Sequence, residues 1–173
     1  MMREGAARAA LPLLGALILG APAGAETLEQ AYGLGATPPQ PEVWLKLGAD
    51  MSVRARLLDA QGGLAQTARP GEKLHLALEF RAAEGAADRA LDLTCAARFY
   101  DAEGTASAYQ GAAVPCYHGR LADGAADFQP IDFTFVFVND AEDPLGTAAV
   151  VATVRDRATG RGRELAPTYR LGR

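Results

Sequence analysis

The chain is poor in the side chains that usually carry out chemistry. Its 173 residues include two histidines, two cysteines, one asparagine (Asn139) and two serines (Ser52 and Ser107). Neither serine is flanked by glycines, so the Gly-x-Ser-x-Gly turn of a hydrolase nucleophile is absent. Gly33-Leu34-Gly35 lacks the third glycine of a dinucleotide-binding loop, and no Walker-type phosphate cradle occurs. No cofactor is therefore expected. No apolar run reaches the roughly 20 residues needed to span a membrane, so no transmembrane anchor is expected either.

What is present begins with an export signal. Arg3 and Arg8 form a basic start, Leu11 to Leu19 an apolar stretch, and Ala23-Gly24-Ala25 an A-x-A cleavage site before Glu26. Residues 1–25 thus read as a signal peptide. The protein is expected to be periplasmic or secreted after cleavage near Ala25.

The rest has the composition of a folding chain: 49% hydrophobic, 22% charged and a net charge of −4. Glycine (19) and proline (10) are too frequent for a helical bundle and suit a turn-rich β protein. Charge is uneven, because Arg155 to Arg173 holds six arginines against Asp156 and Glu164. The acidic remainder disfavours nucleic acid as a partner. The basic end, with Arg155, Arg157, Arg161 and Arg163, is a candidate surface for an acidic partner. A solvated hairpin rim is its simpler reading.

From residue 43 onward the apolar pattern has a period of two. Leu74, Leu76, Leu78 and Phe80 alternate with more polar neighbours. So do Leu91, Leu93, Cys95, Ala97 and Phe99, then Ile131, Phe133, Phe135 and Phe137, then Val150, Ala152 and Val154. Successive strand side chains point to opposite faces, so each run buries one face. Turn sequences fall between the runs at intervals of about ten residues. The pattern predicts an all-β fold, an antiparallel β-sandwich of about seven to eight strands. Strands are expected near 43–47, 52–58, 73–81, 90–100, 106–117, 128–138, 147–156 and 162–171. A bulge or a strand start is expected at Pro130, where the phase slips. Val136 and Val138 make the end of their strand apolar on both faces, which suggests a central or covered strand.

Residues 26–42 differ. Thr27 to Gln30 fits the start of a short helix ending at Gly33, and Thr37 to Pro41 an extended linker. The expected organisation is a signal peptide over 1–25, an N-terminal arm and Pro-rich linker over 26–42, and the sandwich over 43–173.

Two stretches, PGEKLHLALEF from Pro70 and LGTAAVVATVRDRATGRG from Leu145, resemble bacterial immunoglobulin-like and fibronectin-type-III-like domains. They are similar to a turn with the strand it opens, and to a late strand with the last hairpin. The resemblance implies an immunoglobulin-like sandwich. The Cys–Trp–Cys order of antibody domains is not matched, because Trp44 precedes both cysteines.

An even cysteine count in an exported chain predicts a Cys95–Cys116 disulfide. The competing reading pairs Cys116 with His118 as metal ligands for copper or zinc, on one face of an extended segment. Acidic turns offer a second metal reading, with Asp101, Glu103, Asp140 and Asp143 as oxygen ligands for calcium. Tyr100, Tyr109, Tyr117 and Trp44 are candidates for an aromatic platform that would bind sugar or peptide, with Tyr100 and Tyr117 as its partner-binding residues. Together these features predict an exported, non-catalytic binding, accessory or scaffolding module for another envelope protein. The alternatives are a small metal-binding protein or a small carboxylate-based hydrolase.

Overall fold

The computed structural model describes residues 32–35, 38–108, 111–121 and 127–173. The expected signal peptide, most of the short helix expected after it, and Tyr109 lie outside the described residues. The described chain forms ten strands in order: β1 (Glu42–Lys46), β2 (Met51–Leu58), β3 (Thr67–Ala68), β4 (Lys73–Ala82), β5 (Arg89–Tyr100), β6 (Gly111–Leu121), β7 (Gln129–Val138), β8 (Gly146–Asp156), β9 (Gly162–Leu165) and β10 (Thr168–Leu171).

They make two sheets. The four-stranded sheet runs β1-β2-β4-β7, and the six-stranded sheet runs β3-β10-β8-β5-β6 with β9 also paired to β8. All pairings are antiparallel except β3 with β10. The chain is an all-β sandwich.

The alternation seen in the sequence is what closes it. Val53, Ala55 and Leu57 of β2 and Leu74, Leu76, Leu78 and Phe80 of β4 face Leu91, Leu93, Cys95 and Ala97 of β5 and Val150, Ala152 and Val154 of β8 in one buried core. Turns fall where local chemistry demands them. At Arg69-Pro70-Gly71-Glu72, proline presets φ at the second position and Gly71 takes φ of 82° at the third. The Glu72 N–H then donates to the Arg69 carbonyl at 3.0 Å.

Several boundaries depart from the sequence expectation. The strand expected over 106–117 is β6, displaced to Gly111–Leu121. The last strand is split, because Ala166-Pro167 interrupts it and Pro167 has no N–H to donate to a ladder. A two-residue strand, β3, had no pattern of its own. The irregularity expected near Pro130 is present: β7 starts at Gln129, and the β4–β7 register shifts between Pro130 and Thr134.

The position of β7 overturns one expectation. It is not a central strand but the end of the four-stranded sheet, with Val136 and Val138 about half exposed (50% and 48%). Apolar residues on both faces predict a covered strand, but here the face carrying Val136 and Val138 is open to solvent.

The described part of the N-terminal arm is docked rather than frayed. The Tyr32 ring stacks on Tyr100 (centroids 5.4 Å) and its hydroxyl donates to Glu164 (3.1 Å). Leu34 is buried, and Gln40 and Thr168 exchange hydrogen bonds of 2.8 Å. These contacts lay the segment on the outward face of the six-stranded sheet, where Ala149 and Val151 are buried as well.

A charge network joins the two sheets at the opposite end of β5. Arg89 reaches Asp50 of the β1–β2 turn and Asp156 at the end of β8, each at 2.8 Å. Burial works to raise the Asp50 pKa, but the Arg89 hydrogen bond and the charges of Arg89 and Arg161 outweigh it and hold the carboxyl below its ordinary value. A depressed folded pKa stabilises the fold above the unfolded value of about 4, and that stabilisation is lost as pH falls through the folded value. Urea unfolding should therefore lose free energy below about pH 4. In Asp50→Asn that acid-side slope should be shallower. An identical slope in the variant would remove Asp50 from the account.

Candidate functional site

Cys95 and Cys116 are bonded, with Cα atoms 5.7 Å apart, and join the neighbouring strands β5 and β6 within one sheet. Cys116 is therefore not a thiolate, which removes it from the Cys116–His118 metal reading. The two residues do not share a face either. Leu93 pairs with Tyr117 and Thr94 with Pro115, so Cys116 is the extra residue of a bulge. The bulge turns both Cys116 and Tyr117 toward the core and leaves His118 exposed opposite Asp92. A simple period-two count fails across such an insertion.

The acidic turns have local work. Asp101 Oδ1 accepts the N–H groups of Glu103 and Thr105 at 2.9 and 2.8 Å. Asp143 Oδ2 accepts the Asp140 N–H at 2.8 Å. These carboxylates close their own loops. Among the described residues no group of three His, Cys, Asp or Glu side chains is placed to hold a metal ion.

The proposed partner-binding residues are mostly occupied. Arg157 pairs with Asp92 (3.2 Å), Arg161 with Asp50 (3.7 Å), and Arg163 donates to the Lys46 and Gly162 carbonyls (both 3.0 Å). Arg155 is exposed. The basic end is therefore largely tied to its own chain. Tyr117 is no platform residue, since its ring packs edge-on against Phe80 at 4.7 Å. Tyr100 is covered on one face by Tyr32.

The structure instead brings together a crevice at one end of the sandwich, where β7 parts from the other sheet. Its volume is about 550 Å³. Phe99 of β5, Phe137 of β7 and Tyr169 of β10 form a row of rings along it, with centroids 4.9 and 6.0 Å apart. Ala148 and Leu171 complete an apolar floor, and the loop residues Thr105 to Ala108 with Asp140, Asp143 and Pro144 form the rim. At the inner edge Tyr169 donates its hydroxyl to Asn139 Oδ1. Burial, with the nearby Asp143 charge, holds the Tyr169 hydroxyl well above the ordinary tyrosine range, so it stays protonated and donating.

Sequence reasoning missed Asn139, Phe137 and Tyr169 as site residues. In the sequence Asn139 stands out only as the single asparagine, and Phe137 only as a position of an alternating apolar run. Nothing local marks the place where two sheets diverge.

No family model matches the chain, and no curated relative matches it. Among solved structures it is similar to the Pseudomonas fluorescens alkylpurine DNA glycosylase AlkC bound to DNA containing an abasic site analog. The identity is 18% over 73% of this chain and 31% of that chain, with a TM-score of 0.39. It is similar to the Bacillus subtilis sporulation control protein Spo0M at 16% identity, covering 72% of this chain and 50% of that one, TM-score 0.39. It is also similar to a Niemann-Pick type C2 protein from Japanese carpenter ant at 8% identity, covering 61% and 79%, TM-score 0.35. The chain thus spans about a third and a half of the length of the first two. At these TM-scores nothing about activity passes from those proteins to this one. Among the described residues no helix is long and apolar enough to cross a membrane.

Proposed function

We propose that this chain is an exported, non-catalytic binding module that acts on another protein of the cell envelope. Export rests on the signal pattern of residues 1–25, and the Cys95–Cys116 bridge suits an oxidising compartment. The immunoglobulin-like reading of the sandwich rests on the two sequence stretches that carry it.

One observation supports the binding role above the others: the second half of β7. Among the described strands of its sheet, β7 pairs only with β4. Pro130 blunts its first half, since proline cannot donate to an added strand. Thr134 to Val138 carries no such block. Val136 and Val138 are exposed there beside His75 and Lys73, their cross-strand neighbours. An extended segment of a partner can add to this edge through its main chain and cover both valines. The carboxylates of Asp101 and Asp143 are engaged by backbone N–H groups of their own loops.

Two measurements test the reading. The mature protein should begin at Glu26 and fractionate outside the cytoplasm; an intact N-terminus in the cytoplasm would remove the export half. A photo-crosslinker at position 136 or 138 should give one discrete adduct in cells, absent from position 67 on β3 and lost on Val138→Asp when carried at 136. Equal adducts at all three positions, or none, would remove the binding half.

A further inference from the structure

We propose that the end crevice is a binding site for a small uncharged molecule with an apolar body and an acceptor oxygen. The crevice shares Val136 and Val138 with the docking edge on β7, but the inference does not rest on that reading.

The size is right. About 550 Å³ lies within the range of small-molecule sites, which are mostly apolar with a few placed polar groups. The Phe99–Phe137–Tyr169 row with Ala148 and Leu171 supplies an apolar wall drawn from both sheets. Ala148 leaves room where a longer side chain would fill the floor.

The polar requirement comes from Asn139. This residue lines the crevice and is only 7% exposed. Its carbonyl oxygen accepts from Tyr169, and its main-chain carbonyl accepts the Gly71 N–H at 2.9 Å. Its amide Nδ2 is buried and has no acceptor among the described residues. A buried donor without an acceptor is unfavourable, so a ligand oxygen placed there would be gained at little desolvation cost.

Charge then narrows the class. Asp101, Asp140 and Asp143 line the rim, and no lysine or arginine is among the described lining residues. A carboxylate or phosphate would satisfy Nδ2 but meet like charge on an apolar wall. A cation would suit the rim but bring a donor to a donor. A neutral ketone, ester, amide or ether oxygen on a flat apolar frame meets both conditions.

Asn139 is the only asparagine in the chain, which gives a direct readout. Protein labelled with ¹⁵N at asparagine side-chain amides should show one amide pair. Titration of the disulfide-intact mature protein with 2-acetylnaphthalene should move that pair along a saturable, one-to-one curve. The anion 2-naphthoate, which has the same ring system, should bind at least tenfold more weakly at pH 7. Asn139→Asp keeps the acceptor for Tyr169 and replaces the amide donor. Calorimetry should show about tenfold weaker binding of the ketone to it at pH 7. An Asn139 amide pair that does not move, or moves without saturating, overturns the proposal in the wild-type protein whatever the variant's folding. Naphthoate binding as tight as the ketone overturns the assigned ligand class.

Discussion

Replacing Cys95 and Cys116 together by alanine should lower the unfolding free energy by about 3 kcal/mol. The bridge spans a sequence separation of 21 residues, and the loss follows from the chain entropy returned to the unfolded state. For a domain of this size that corresponds to a fall in melting temperature of about 6–12 °C. The effect should not be uniform. The bridge ties β6, an end strand of the six-stranded sheet, to β5, and it closes the loop that carries Thr105 to Ala108 at the crevice rim. Amide exchange should therefore rise first in β6 and in that rim, with β2 and β4 following only on global unfolding. Chemical denaturation of the alanine pair checks the magnitude, and exchange mass spectrometry checks the place. Wild-type and alanine-pair proteins of equal stability would show that the bridge contributes nothing to the fold.

Arg89→Met should cost about 3 kcal/mol. Removing one partner of a buried ion pair leaves the other charged and uncompensated. The Asp156 side chain is 1% exposed and the Arg89 side chain 22%. Asp156 keeps two local bonds in the variant, from the Ala158 N–H (3.1 Å) and the Thr159 hydroxyl (2.9 Å), which hold the β8–β9 turn. The cost should therefore sit at the lower end of the range for broken buried pairs. Asp50→Asn should cost less, because that carboxyl is 23% exposed and water screens it. Adding Asp156→Asn to Arg89→Met should recover part of the loss by removing the stranded charge. A loss under 1 kcal/mol in Arg89→Met would mean that solvent reaches Asp156 and that the network does not join the sheets.

The contrast between these two features shows what could be read from the sequence. The disulfide was legible because two cysteines allow one pairing, and the export pattern expected of residues 1–25 favours its oxidation. The Arg89 network was not, because Asp50, Arg89 and Asp156 are far apart in sequence and sit in three unrelated local contexts. The same division holds for the sites. Asp101 and Asp143 could be suspected as metal ligands or as turn formers, and only backbone hydrogen bonds chose between the two. Cys116 and His118 shared a face on paper, and the bulge separated them.

The sequence alone determined the β-sandwich, its main strands and its inward faces, because side-chain alternation is a local property of extended backbone. It also determined most of the turns, because proline and glycine act on their own dihedrals. Tertiary structure alone decided that β7 ends a sheet, that Val136 and Val138 meet solvent, and that Phe99, Phe137, Asn139 and Tyr169 surround one crevice. Strand order, bulges and the divergence of two sheets depend on partners tens of residues away, and no local pattern encodes which partner a strand will find.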